Sequence, residues 1–298
     1  MIRFEQLLNK MYLMKDTFIP MDDEQFQLVQ KTGLEMYLTI SDICKRHDLN
    51  VMLGFGSALG AARHKGFVPW DDDVDVLMPR KDYDQFISIC NKELPSNLFI
   101  YAPGTNNGPE VRYTKIFNKD FKIFPEGGDE LSNLVCLDVM PLEYYDKNIL
   151  RRTLKWAIYL LISTAATTTR LWHDRTLDTD YRFLMQLTVK GKIEYYIRLA
   201  IGFLFSFLPY QKWLIIADEW YKDAKETSQF FIPSIFINTN PIDKDIMLPV
   251  STGIFEGEIV SLPNRVEEYL VFQYGDWKKL PPEDKRRQHL FYRKRVDR

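Results

Sequence analysis

Between residues 22 and 149 the apolar positions alternate between the spacing of a helix and that of a strand, which predicts a mixed α/β core. Phe26, Val29, Met36, Tyr37, Ile40, Ile43 and Cys44 recur at intervals of three, four and seven, one face of a long helix. Asp22 and Asp23 precede it as N-cap candidates, Gln25 is placed to complete a capping box, and His47-Asp48 marks the expected end. Residues 1 to 20 predict a short helix or an arm ending near Pro20. Val51 to Phe55 reads as a short strand, and Gly56-Ser57 allows a tight turn into a helix that starts at Ser57, runs through His64 and stops at Gly66 in a left-handed cap. Asp73 to Met78 alternates, so Val74 and Val76 point into the core while Asp73 and Asp75 share the opposite face. Pro79 breaks that strand, and Asp82 is expected to cap a helix from Tyr83 to Glu93. Further strands are predicted over Leu98 to Tyr101, Glu110 to Phe117 and Leu134 to Pro141. Phe121 to Phe124 is expected to pair with the second of these, which offers Arg112, Thr114 and Lys115 to a face or edge.

Residues 150 to 222 lack strand alternation and read as four helices: Leu150 to Arg170, Thr179 to Lys190, Ile193 to Leu208, and Gln211 to Lys222. Two pieces, Trp156 to Ala166 and Leu199 to Leu208, are unusually apolar, yet far shorter than the ~20 residues a bilayer crossing needs. Core helices are one reading of them; a peripheral membrane contact flanked by Arg151, Arg152, Lys155, Arg170 and Arg175 is the other. Beyond them the chain returns to short strands, at Pro233 to Asn238, Ile246 to Pro249 and Gly253 to Val260, then a helix from Arg265 to Phe272 and a basic tail ending at His289. The expected organisation is an N-terminal helical region (1–49), a catalytic core (50–149), a helical insertion (150–230) and a C-terminal segment (231–298) that completes the catalytic domain.

Composition narrows this picture. With 298 residues, 46% of them hydrophobic, the chain is long enough for a substantial core. Its 39 basic and 41 acidic residues nearly cancel, so charge offers no case for nucleic acid as a partner. Cys44, Cys90 and Cys136 are far apart and sit in apolar runs, which predicts free thiols in a reducing compartment. The first residues, interrupted by charges, do not resemble a secretion signal, so residence in the cytoplasm is expected.

The candidate chemistry lies in Gly54 to Pro79. N–H groups at a helix start beside a Gly-Ser turn suit a phosphate, which makes Gly56 and Ser57 candidate ligands. Two carboxylates side by side on one strand face repel unless a cation sits between them, and Asp73 and Asp75 therefore read as ligands of Mg²⁺ or Mn²⁺. A lone carboxylate in the apolar run 134 to 141, Asp138, is costly without a partner. Arg63 and Lys115 are candidate phosphate contacts. His64 reads either as a base or donor or as a charge at a helix end. Trp70 and Tyr83 read either as packing or as aromatic faces for a quaternary ammonium group. Asp71 and Asp72 flank the pair and could orient it or bind an acceptor hydroxyl.

Gly56-Ser57 followed by Asp73-Val74-Asp75-Val76 resembles the nucleotidyltransferase-fold signature. The longer stretch GSALGAARHKGFVPWDDDVDVLMPRKDYDQF resembles the central motif of the LicD-like phosphotransferase family, which includes bacterial phosphocholine transferases and the fukutin-type enzymes. YLVFQYGDWKKLPPEDKRRQH resembles its C-terminal pattern and brings His289 in as a residue that could close over the site. The resemblance implies an α/β (α+β) fold with a nucleotidyltransferase-like mixed sheet, flanking helices and a helical insertion. It also implies that Asp138, in Asp138-Val139-Met140-Pro141-Leu142, is the third metal acid. The implied activity moves phosphocholine or an alditol phosphate from a CDP-activated alcohol to a glycan or lipid-linked glycan hydroxyl; with a lipid-linked acceptor, the expected cytoplasmic residence extends to the inner face of the membrane. The alternatives are transfer of a nucleotidyl group from a nucleoside triphosphate, and a non-catalytic nucleotide- or glycan-binding protein.

Overall fold

A computed structural model describes residues 4–124, 131, 133–222, 226–227, 229–231 and 240–294. The strand expected over Pro233 to Asn238 lies outside the described residues. In chain order the elements are α1 (Phe4–Leu13), β1 (Phe18–Pro20), α2 (Asp23–Arg46), β2 (Met52–Leu53), α3 (Phe55–Arg63), β3 (Val74–Pro79), α4 (Arg80–Glu93), β4 (Leu98–Tyr101), β5 (Thr114–Lys122) and β6 (Leu134–Tyr144). Then come α5 (Ile149–His173), α6 (Asp180–Gln186), α7 (Val189–Phe205), α8 (Tyr210–Lys222), β7 (Gln229–Phe231), β8 (Ile242–Asp243), α9 (Lys244–Met247), β9 (Ser251–Phe255), β10 (Glu258–Leu262), α10 (Val266–Tyr274) and β11 (Phe291–Arg293).

The main sheet runs β2-β3-β6-β5-β4, with β7 added to β6 and β8 to β7. β3 and β6 are parallel and the remaining pairs antiparallel, so the sheet is mixed, as expected. β6 is buried along most of its length, which accounts for its nearly continuous apolar sequence: a strand with a neighbour on each side and cover on both faces has no face to give to water. α2 lies across β3 and β6 and buries Val29, Met36, Tyr37, Ile40, Ile43 and Cys44, with Phe26 half-buried. Its capping box forms as the sequence predicts: Asp22 Oδ1 accepts the Gln25 N–H at 2.8 Å, and Gln25 Oε1 accepts the Asp22 N–H at 3.1 Å. α4 packs beside it through Tyr83, Phe86, Ile87 and Cys90. Val74 and Val76 are buried, Val74 against Gly33 of α2, so the odd-numbered positions of β3 look the other way.

Several local expectations are corrected. α3 begins at Phe55, two residues before Ser57, and ends at Arg63 with His64 as its C-cap. The left-handed residue after it is Lys65, at φ 61, rather than Gly66. Gly66 is needed for another reason: the Glu256 carboxylate, which accepts the Phe67 N–H at 2.9 Å, fills the space a Cβ would take. α4 starts at Arg80 without a side-chain cap, and Asp82 instead accepts the Asn50 N–H and side-chain N–H at 3.0 and 2.8 Å. Phe121 continues β5 rather than pairing back on it, because Leu134 of β6 supplies the partner at Lys122. Ile246 to Pro249 is covered in part by the helical turn α9 and is not a strand. The helix expected to run from Thr179 to Lys190 ends at Gln186. Thr188 then caps α7, its hydroxyl accepting the Gly191 N–H at 3.1 Å.

Helices α5 to α8 leave the sheet at the end of β6, and the chain returns as β7, which pairs Tyr144 with Phe230. A buried ion cluster fastens this insertion to the core. Arg80 Nε donates to Glu143 Oε1 of β6 at 2.8 Å, and its Nη2 reaches Asp218 Oδ1 of α8 at 2.9 Å. At the other end of the chain, α10 and the β9–β10 hairpin pack on α3. β11 pairs with β1, joining the last described residues to the first strand.

Candidate active site

The parallel pairing of β3 with β6 sets Asp75 beside Asp138, and the antiparallel pairing of β6 with β5 sets Asp138 beside Lys115. Side chains in cross-strand register share a face, so these three form one row on the side of the sheet opposite Val74 and α2. Lys115 Nζ lies 2.6 Å from Asp138 Oδ1 and 3.5 Å from Cys136 Sγ. Asp73, two residues before Asp75, belongs to the same face. Thr114 faces the other way, fully buried, and donates to the Tyr83 hydroxyl at 2.8 Å.

The turn into α3 grips Asp75 from both sides. The Ser57 hydroxyl accepts the Asp75 N–H at 3.0 Å, and the Asp75 carbonyl accepts the Gly54 N–H at 2.9 Å. The start of α3 already faces an anion: a Cβ on Gly56 would overlap the buried Asp71 carboxylate. A negative group there is favoured by the unpaired N–H groups of the first turn. Gln30 holds the Asp71 carbonyl at 2.9 Å. Gly56→Ala is expected to lower stability by about 1–3 kcal/mol, since the added methyl has no room beside a charged group that must stay in place; thermal unfolding reads it.

The tail closes the site. His289 Nδ1 lies 3.4 Å from Asp72 Oδ1 and 4.0 Å from both Asp71 Oδ1 and Asp73 Oδ2. Asp72 Oδ2 also accepts the backbone N–H groups of His289 and Leu290 at 2.8 and 3.0 Å. Asp71, Asp72, Asp73 and His289 thus offer ligand atoms all within 4.8 Å of one another. The row Asp75–Asp138–Lys115 and this cluster meet at Asp73.

The electrostatics follow from crowding. Burial, then the Asp73, Asp138 and Asp71 charges, hold the Asp75 carboxyl well above the usual carboxylate range. Burial and Asp73 do the same to Asp71. Asp73 is pushed up to about 6 by desolvation and the facing Asp72 and Asp138, against the pull of His289. His289 is raised to about 9, mainly by its bond to Asp72. Lys115 is held well above its ordinary value: burial opposes its charge, but Cys136 and Asp138 outweigh it. Asp72 Oδ1 is buried and faces His289 Nδ1 at 3.4 Å. Clustered carboxylates that resist sharing their charge, all hard oxygen donors, are the set a divalent cation of the Mg²⁺ type takes.

Arg63 and His64 have local partners. Arg63 Nη1 donates to the Trp277 carbonyl at 2.7 Å, and Arg63 Nε to His64 Nε2 at 3.0 Å. Desolvation and then Arg63 lower the His64 pKa. Arg63 thereby fastens the Tyr274-Gly275-Asp276-Trp277 element to the end of α3. Trp70 is half-buried with the Arg286 guanidinium 5.5 Å from its ring centre, whereas Tyr83 is fully buried and packs. Two tyrosines at the site were given no role from the sequence. Tyr113 reaches Asp138 with its hydroxyl, and Tyr274 stands near Asp71, Asp73 and Asp75. Burial raises both phenols first. Tyr113 was legible as the residue two before Lys115; Tyr274 lay in the quoted C-terminal pattern, where nothing local pointed it at the acids.

With this geometry in place, residues 48–156 match the model of the LicD/FKTN/FKRP nucleotidyltransferase domain. The domain is LicD-like. It contains Gly56, Ser57, Asp71 to Asp75, Lys115 and Asp138, while His289 comes from outside it. Similarity to one curated protein runs well past the domain: the lipopolysaccharide cholinephosphotransferase LicD of Haemophilus influenzae is 27% identical over 264 residues, covering 83% of this chain and 89% of that protein. An uncharacterized protein of Rickettsia prowazekii is 24% identical over 141 residues, 36% of this chain and 52% of its own length. The resemblance read from the central motif is therefore upheld by the LicD-type domain and by a relative aligned over most of the chain.

Proposed function

We propose that this protein transfers phosphocholine, or another phosphorylated alcohol, from a CDP-activated donor to a hydroxyl of a cell-surface glycan precursor, working at the cytoplasmic face of the membrane. The observation that carries the reading is the row Asp75–Asp138–Lys115, with Asp73 beside it, inside a LicD-type domain. Phosphoryl-group transfer asks for charge neutralisation and alignment more than covalent work by the protein, and these residues supply both. Mg²⁺ or Mn²⁺ held by Asp73, Asp75 and Asp138 would neutralise the donor diphosphate and the charge on the departing CMP. Ser57 and Gly54 keep Asp75 in register with Asp138. Lys115 pairs with Asp138 at 2.6 Å and brings a cation to the phosphate. The acceptor hydroxyl attacks phosphorus as the bond to CMP breaks. Asp73, more exposed than Asp71 and Asp72, would leave a carboxylate oxygen open to take the hydroxyl proton as the attack proceeds.

The test is product analysis: purified protein with Mg²⁺, glycan extract, and each of CDP-choline, CDP-glycerol, CDP-ribitol, ATP and CTP. CMP release from one CDP-alcohol, with the alcohol phosphate appearing on glycan, is expected. Pyrophosphate from a triphosphate, with no CMP from any CDP-alcohol, would overturn the reading in favour of nucleotidyl transfer. In the same assay Lys115→Met should cost roughly a hundredfold or more in turnover, the range for losing one preorganised charge at a reacting group. Lys115→Arg should recover part of it.

A further inference from the structure

The helical insertion carries an inverted helix. The inner face of α7 buries Gly191, Tyr195 and Gly202, with Gly202 tight against Thr168 of α5. Its outer face runs Val189, Ile193, Ile197, Leu204 and, just past the helix end, Phe207, side chains 56–75% exposed. That spacing is one continuous helical stripe, and a stripe of this kind normally faces a core. Of the two apolar stretches singled out from the sequence, the first goes largely inside, burying Tyr159, Ile162, Ala165 and Ala166, whereas the second leaves Phe203, Leu204 and Phe207 in the open.

Charge and shape select what covers it. Lys190 and Lys192 are exposed at the start of α7, while its one acid, Glu194, is paired with Arg198 at 2.8 Å. The helix therefore presents apolar side chains with cations beside them that pair with no acid among the described residues. Side chains more than half exposed protrude instead of lining a groove, and a fluid hydrocarbon phase accepts protrusions that a protein surface would need matching pockets to receive. Among the described residues no single helix is long and apolar enough to cross a membrane, but Val189–Phe205 and Tyr210–Trp220, bent by 81°, reach that length and composition together. Trp213 closes the bend, its ring 5.6 Å from Phe205 and 5.5 Å from Phe207, and its Nε1 donates to the Phe205 carbonyl at 3.1 Å. An elbow braced in this way suits a helix lying in the plane of one leaflet.

We propose that α7 and the α7–α8 elbow dock on an anionic lipid bilayer, the stripe sinking into the interfacial layer and Lys190 and Lys192 meeting the headgroups. This goes beyond the transfer reading, and its test needs no turnover. The intact protein is floated with vesicles of phosphatidylcholine alone and of an equal mixture of phosphatidylcholine and phosphatidylglycerol. The expected result is co-flotation with the mixed vesicles, reduced by salt. Ile197→Glu with Leu204→Glu should cut it roughly a hundredfold, because burial of two large apolar side chains is replaced by burial of charge. Lys190→Gln with Lys192→Gln should remove most of the preference for the anionic mixture. All four positions are exposed, so circular dichroism and the melting temperature should be unchanged. Absence of co-flotation in the wild type overturns the proposal. So does a concentration-dependent dimer, seen by light scattering and broken by the same pair, since the stripe would then be a contact between copies. Failure of the donor assay leaves this result standing, and failure here leaves the donor assay standing.

Discussion

Asp75→Asn should lose transfer activity by roughly a thousandfold or more while making the metal-free protein more stable. Both halves have one cause. In the folded chain Asp75 is half-buried beside Asp73, Asp138 and Asp71, and desolvation and those charges hold its carboxyl well above the ordinary 3.8. An acid whose folded value is raised binds more protons folded than unfolded between the two values, so stability falls as pH rises through that window. Asp73, at about 6, adds to the same trend from the ordinary range upward. His289 extends it: a folded value near 9 against an ordinary 6.5 gives stability below 6.5 that is lost as pH climbs to 9. The metal-free protein should therefore melt at falling temperatures between pH 4 and 9. The amide, keeping the shape and removing the repulsion, should melt higher than wild type at pH 7.5 and show a shallower slope. Each kcal/mol relieved corresponds to about 2–4 °C in a chain of this size class. Adding Mg²⁺ or Mn²⁺ should raise the wild-type melting temperature and leave that of Asp75→Asn nearly unmoved. Differential scanning fluorimetry across pH, with and without metal, measures all of this. A lower melting temperature for the amide would show that Asp75 is a structural anchor and not a strained ligand.

Arg80→Ala carries the largest expected loss of stability, about 3–5 kcal/mol. Arg80 is buried, and its guanidinium is the cation for Glu143, 1% exposed, and Asp218, 9% exposed. Burial already pushes the Glu143 carboxyl up despite that partner. Removing the guanidinium leaves two carboxylates in the interior, and among the described residues Lys222, 3.2 Å from Asp218, is the cation that stays paired with either. Because Arg80 follows directly on β3 while Asp218 belongs to α8, the loss falls on the junction between sheet and insertion. Urea unfolding should show the lowered midpoint. The triple change Arg80→Met, Glu143→Gln, Asp218→Asn should recover part of the stability, since the two buried carboxylates lose their charge together with their partner, while the more exposed Lys222 and Asp84 stay charged. If the single variant were near wild type, the cluster would be open to water in solution.

Local interactions were legible from the residues alone. The capping box at Asp22 and Gln25, the apolar face of α2, the strand parity that puts Asp73 and Asp75 opposite Val74 and Val76, and the buried run of β6 each depend on neighbours within a few positions. The Gly-Ser turn and the Asp pair were visible for the same reason. Helix ends were less so: α3 starts early because Gly54 bonds back to the Asp75 carbonyl, and α4 goes uncapped because Asn50 takes Asp82. The site as a whole needed pairings distant in sequence. That Asp138 lies beside Asp75 and Lys115 follows from two strand registers, one parallel and one antiparallel, neither implied by spacing. Tyr274 and His289 reach the acids only through the packing of α10 on α3 and the hold of Asp72 on the tail. The sequence by itself determined which side chains carry charge and which face of each element they occupy, because helix and strand periods are local geometry. Tertiary structure decided which charges must share one pocket, and therefore which are strained, because mutual repulsion and burial exist only once separate strands are brought together.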